Sequence, residues 1–231
     1  MAEQHKFPLQ LTRQAHEGEI LVIGLGRFGS SVAHTLVEMG YEVLAVDFEE
    51  SRVQQYAETL THVVQTDTTN ERALRQIGAA DVTTAVVCIG TDIESSVLTT
   101  GCLVDIGIPN IWAKAITKAH GKILDRVGAH HVVFPEADMG ARVAHLLTGR
   151  TLEYVELDDD FVIAETGVPK VAVGKTLGAA KLRATFDVTV VCTKQSGSTF
   201  TYATTETVLG VDDLVVIAGR RAAVDRFIDT V

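Results

Sequence analysis

Short apolar runs alternate with amphipathic stretches through the first two thirds of the chain. The runs at 20–23, 42–46, 62–65, 84–89, 111–114 and 130–134 read as strands. Between and after them, 28–39, 50–56, 71–76, 93–106, 118–127 and 136–147 carry helical spacing, and glycines at 40 and 107 close two of these helices. Six apolar strands alternating with helices predict an α/β unit, a Rossmann-like doubly wound parallel sheet covered on both faces.

After Thr148-Gly149-Arg150 the rhythm changes. Strands are expected at 152–157, 161–165, 188–193, 200–202 and 214–218, with helices at 177–183 and 222–230. This predicts a small α+β domain over 150–231, following a first domain over 19–149 and an arm over 1–18.

The chain has 231 residues, 30 acidic against 20 basic, a net charge of −10 and a pI near 5.2. No cationic surplus exists to displace counterions from nucleic acid or to grip anionic lipid. Cys88, Cys102 and Cys192 are an odd number without C-x-x-C spacing, so neither a zinc site nor a disulfide framework is expected. The first residues are charged throughout, unlike a secretory leader, and no apolar run reaches the roughly 20 residues of a membrane span. The expected location is cytoplasmic, without direct membrane insertion.

The sharpest local signal is Gly24-Leu25-Gly26-Arg27-Phe28-Gly29, placed after a strand and at the start of a helix. The first glycine permits a tight turn, the second lets backbone approach a diphosphate, and the third lets helix and strand pack closely. Asp47 ends the second strand, 18 residues after Gly29, where a carboxylate can accept from ribose hydroxyls. The next residues, Phe48-Glu49-Glu50, offer no arginine for a 2′-phosphate, so NADP is disfavoured. Arg27 adds a cation inside the loop, which suits a nucleoside di- or triphosphate; a solvent-facing arginine at a helix start is the alternative.

Asp67 follows the third strand and can accept from an adenine amino group, or else cap the next helix, for which Asn70 is the better cap. Lys114 ends the fifth strand on the same edge, within reach of phosphate or snorkelling to solvent. Thr68 and Gly90 complete the candidate nucleotide set. Glu136, at a helix start, can simply complement the helix dipole. His130 and His131 are adjacent in a strand and point to opposite faces, which disfavours a shared metal. Gly174-Lys175-Thr176 looks like the end of a P-loop, but the required upstream glycine is Pro169. No G-x-S-x-G, H-E-x-x-H or Cys–His nucleophile pattern occurs, so no catalytic residue is assigned and an enzyme is not expected. An NAD-dependent oxidoreductase and a stand-alone NADH or nucleotide sensor remain the alternatives.

The stretches Val22–Gly29, Leu44–Asp47, Ile108–Ala115 and Phe134–Gly140 closely resemble RCK domains, the TrkA-N/TrkA-C regulators of potassium conductance. The Arg-Phe pair in the loop and the Phe-Pro-Glu run resemble the regulatory subunits of Ktr-type potassium uptake systems. The resemblance runs from Glu19 to the end and implies an RCK C-terminal subdomain. It implies homodimers assembled into an octameric ring under a KtrB-like, membrane-embedded potassium channel dimer. It implies ATP and ADP as ligands, ATP activating and ADP inactivating, with NAD(H) less favoured. Arg27 then corresponds to an arginine reaching the terminal phosphate of a neighbouring subunit's nucleotide, and Asp47 to the ribose ligand. Glu136 corresponds to a carboxylate holding a cation such as Mg near the γ-phosphates. Arg183, with Val188 and Thr189, corresponds to a site for cyclic di-AMP, a second messenger that inactivates transport. On residues alone, Arg183 is a helix-end cation near carbonyls.

Overall fold

A computed structural model describes residues 18–147, 151–158 and 160–231. The expected arm over 1–18, apart from Gly18, and the expected boundary at 148–150 lie outside the described residues. The chain forms two compact units, the first ending at Pro135 and the second beginning at Glu136.

The first unit runs β1 (Ile20–Ile23), α1 (Arg27–Glu38), β2 (Val43–Asp47), α2 (Glu50–Tyr56), β3 (His62–Gln65), α3 (Glu71–Gln76), β4 (Thr84–Val87), α4 (Ile93–Ile106), β5 (Asn110–Lys114), α5 (Lys118–Val127) and β6 (His131–Val133). Its strands form one parallel sheet in the order β3-β2-β1-β4-β5-β6. Alternation along each strand divides the core into two layers. Leu21, Ile23, Leu44 and Val46 face Leu74, Leu103 and Leu124 of α3, α4 and α5. Val22, Val43 and Ala45 face the other way, with Ala33 of α1 and Leu60. Both faces are therefore dry, which is why these strands read as unbroken apolar runs.

Local chemistry sets the helix ends. The Asn70 carboxamide accepts from the backbone N–H of Arg72 and Ala73, Asp92 accepts from Ser95, and Thr117 accepts from His120. Gly107 and Gly128 end α4 and α5 in the left-handed conformation.

The second unit holds all but the first residue of α6 (Pro135–Leu147), then β7 (Thr151–Asp158), β8 (Phe161–Gly167), α7 (Leu177–Ala180), α8 (Leu182–Phe186), β9 (Val188–Lys194), β10 (Phe200–Tyr202), β11 (Leu214–Arg220) and α9 (Arg221–Ile228). Its strands pair antiparallel in the order β10-β9-β11-β8-β7. Tyr154, Val162, Ala164, Val215 and Ile217 form a buried layer with Phe227 of α9. Phe186 meets Phe227 edge-on, with ring centroids 5.3 Å apart. Arg221 joins the start of α9 to β7, donating to Glu156 Oε1 at 2.8 Å and to the Tyr154 hydroxyl at 3.4 Å. The single helix expected over 177–183 is instead two short helices. Lys181 adopts φ +49° between them, and Asp187, at φ +61°, ends the second. Among the described residues, no helix is long and apolar enough to cross a membrane.

Candidate functional site

The carboxyl ends of β1 and β4, neighbours that continue to opposite halves of the sheet, define a crevice of the kind that receives nucleotides in doubly wound folds. The glycine loop lies at its mouth. Gly24 turns the chain at φ +91°, and its N–H donates to the Val46 carbonyl at 2.7 Å. Gly29 packs against the Gly24 carbonyl and Cys88, whereas a side chain at Gly26 would meet open space. Gly26 gives α1 no side-chain cap, and the first turn of α1 carries no acid. The positive end of this 12-residue helix is thus uncompensated by side chains, the electrostatic setting that suits a phosphate. Arg27, its first residue, is exposed.

Asp47 is only 4% exposed and is tied into the loop. Its Oδ2 accepts from the backbone N–H of Leu25 at 2.6 Å, and its Oδ1 accepts from that of Glu49 at 2.9 Å. The expected ribose acid is therefore also the latch that holds the glycine loop against β2. The run Phe48-Glu49-Glu50 offers no arginine, as expected, but Arg52, two residues further on, stands at this end of the site. The first turn of α2 carries its guanidinium back to 3.4 Å from Asp47 Oδ2 and 3.6 Å from Glu49 Oε1.

On the other side of the loop, three predicted residues meet. The Lys114 ammonium lies 5.5 Å from the centre of the Phe28 ring, a cation–π contact. A β-carbon on Gly90 would stand 3.1 Å from Lys114 Nζ, so the absence of a side chain there makes room for the lysine. Lys114 is 8% exposed at the end of β5. Burial pushes the nearby Cys88 thiol up to about 12, against the opposing pull of the Lys114 charge. Sequence reasoning gave neither Cys88 nor Arg52 a place in the site. An arginine at the fifth position after a strand-end acid, on a helix that returns toward it, was the available signal.

Asp67 and Thr68 are committed locally. Asp67 Oδ1 accepts from the backbone N–H and hydroxyl of Thr69 at 3.0 and 2.7 Å, while Asn70, the better-placed candidate, caps α3. Buried Thr68 bonds the Thr99 hydroxyl of α4 at 2.8 Å. His130 Nδ1 accepts from the Ile111 N–H at 3.0 Å, and His131 stacks on Trp112 with centroids 4.1 Å apart, so the two imidazoles have separate partners.

In the second unit, Glu136 is exposed in the first turn of α6. Among the described residues, no group of three or more His, Cys, Asp or Glu is arranged to hold a metal ion. Arg183, Val188 and Thr189 are brought together on one concavity of about 580 Å³, whose wall includes Leu182 and Thr204. Arg183 Nη2 donates to Thr189 Oγ1 at 2.8 Å there.

Comparison with known proteins adds four findings. Residues 20–135 match the TrkA-N domain model. The chain is 36% identical over 210 residues to Ktr system potassium uptake protein A of Bacillus subtilis (strain 168), covering 90% of this chain and 95% of that protein. It is 32% identical over 202 residues to the protein of the same name from Vibrio alginolyticus, covering 87% and 92%. A GsuK channel bound to NAD has the same fold, with a TM-score of 0.64 and 21% identity, over 91% of this chain and 39% of that one.

Proposed function

Because the chain belongs to the TrkA-N family, as a KtrA-like RCK regulatory subunit, we propose that it is a nucleotide-binding, non-enzymatic subunit that gates a membrane potassium transporter. The observation that carries this reading is the glycine loop latched by Asp47 at the sheet crevice, in a chain 36% identical to a potassium uptake protein along nearly its whole length. The ligands are ATP and ADP, held by Gly24, Gly26 and Gly29 at the phosphates and by Asp47 at the ribose. Lys114 adds charge beside Phe28 and Gly90. ATP activates and ADP inactivates.

A ligand shifts a conformational equilibrium only through contacts that differ between states. ATP and ADP differ by the γ-phosphate, and exposed Arg27 supplies a cation able to reach such a phosphate on a neighbouring subunit. Glu136, exposed at the start of α6, would share a divalent cation such as Mg with the nucleotide phosphates. The subunits form homodimers and an octameric ring that acts on a KtrB-like channel dimer at the inner face of the membrane. Met139, Val143 and Leu147 support the dimer: they lie four residues apart on α6 and are 53%, 42% and 82% exposed in the single chain. The concavity at Arg183, Val188 and Thr189 supports binding of cyclic di-AMP by the second domain.

Potassium uptake by cells carrying the subunit and its channel, together with binding of ATP, ADP and NADH to the purified protein, tests the reading. Arg27→Ala is expected to erase the ATP-against-ADP difference in uptake while leaving ADP affinity within about threefold. Full ATP activation of that variant, or strong preference for NADH in the unaltered protein, would refute it.

A further inference from the structure

The Asp47 carboxylate is nearly full before any ligand arrives. A carboxylate offers about four acceptor positions, two on each oxygen. Oδ2 already accepts from Leu25 N–H and faces the Arg52 guanidinium at 3.4 Å, and Oδ1 already accepts from Glu49 N–H. One position is left, on Oδ1. The two backbone bonds hold the glycine loop and the β2–α2 corner, so they persist when a phosphate is bound. Arg52, 43% exposed and also within 3.6 Å of Glu49, is the partner that can move.

We infer that Arg52 is a specificity-determining residue at the ribose end of the site, standing on Asp47 Oδ2 in place of a ligand hydroxyl; this rests on the nucleotide reading above. A ribose presents a vicinal diol, two donors for the two carboxylate oxygens. To take both, it must displace Arg52. A 2′-deoxyribose presents one donor, which fits the open position on Oδ1 and leaves Arg52 in place on Oδ2. The ribonucleotide therefore gains a second hydrogen bond and loses the guanidinium contact. The deoxynucleotide gains one bond and loses nothing. The two outcomes nearly balance, so Arg52 makes the site tolerant at the 2′ carbon. Without Arg52, the missing hydroxyl leaves a carboxylate oxygen short of a partner, and selection for the intact diol rises.

Calorimetric titration of ADP and 2′-deoxy-ADP into the full chain and its Arg52→Ala variant tests this. Both ligands bind the same variant, so any general loss of affinity cancels in the ratio. The unaltered chain is expected to separate the two by about threefold or less, and Arg52→Ala by about tenfold or more. Arg52→Lys, which keeps a cation without the planar fork, is expected to fall between. An unchanged ratio in Arg52→Ala overturns the inference while ADP binding itself still stands. No ADP binding by the unaltered chain overturns the nucleotide reading, and this inference with it.

Discussion

Gly29 stands so close to the carbonyl of Gly24 that a β-carbon on it would lie 1.8 Å from that oxygen, and 2.9 Å from the β-carbon of Cys88. The third glycine of the loop is thus required by packing, before any ligand is considered. Gly29→Ala is expected to lower folding stability by about 2–4 kcal/mol. Gly26 has open space around its α-carbon and an ordinary φ of −66°. Gly26→Ala is expected to keep stability within about 0.5 kcal/mol and to weaken ADP binding at least tenfold, because the new methyl occupies the path of the phosphate. Urea denaturation and calorimetric ADP titration of both variants separate the two roles.

Asp47→Asn preserves shape but replaces one acceptor oxygen with a donor. Both carboxylate oxygens accept from backbone N–H groups, so either orientation of the amide sets a donor against a donor. A loss of about 1–3 kcal/mol in stability is expected even without nucleotide, read from urea denaturation. A variant as stable as the parent would show that the latch contributes nothing.

Acid is expected to destabilise the first unit through His120. Its side chain is 1% exposed, and burial holds its pKa below the ordinary 6.5. The unfolded chain therefore binds more protons than the folded one below about pH 6.5, so stability rises with pH across that window and is lost as pH falls through it. His131 contributes in the same direction, through its own burial and the neighbouring His130. Denaturation midpoints between about pH 5 and 7 should show this slope, and His120→Phe should reduce it.

Cys88 should be unreactive in the native protein. Its thiol is 6% exposed and its pKa is pushed up to about 12, so almost no thiolate exists near neutral pH. Iodoacetamide at pH 7.5 is expected to label the half-buried Cys102 and Cys192 first, and Cys88 only after denaturant is added. Mass spectrometry of the labelled peptides reads the order.

Much of the first unit was legible because its signals are local. Apolar runs between turn residues set β1 and β3, and the Asn70 cap sets the start of α3. Gly24, Gly29 and Asp47 stand where spacing puts them for backbone reasons, a positive φ, a close approach and two backbone hydrogen bonds, whereas Gly26 has open space around it. Arg52 was not legible from spacing, because only the direction in which α2 leaves the strand brings it back to Asp47. The break at Lys181 escaped for another reason: a single left-handed lysine leaves no trace in a hydrophobic pattern. Pairing in the second unit was equally hidden, since alternation marks a strand without naming its neighbours.

The place of β11 between β8 and β9 bears on how the protein is made. Until Leu214–Arg220 has emerged from the ribosome, the second unit consists of two ribbons, β7–β8 and β9–β10, with no strand to join them. The parallel sheet of the first unit, whose strands all precede Pro135, can close long before that. During synthesis a finished parallel sheet therefore precedes an open-edged second unit, and a chain cut short before Leu214 would leave β8 and β9 each with an edge that β11 otherwise covers, a substrate for quality-control proteases.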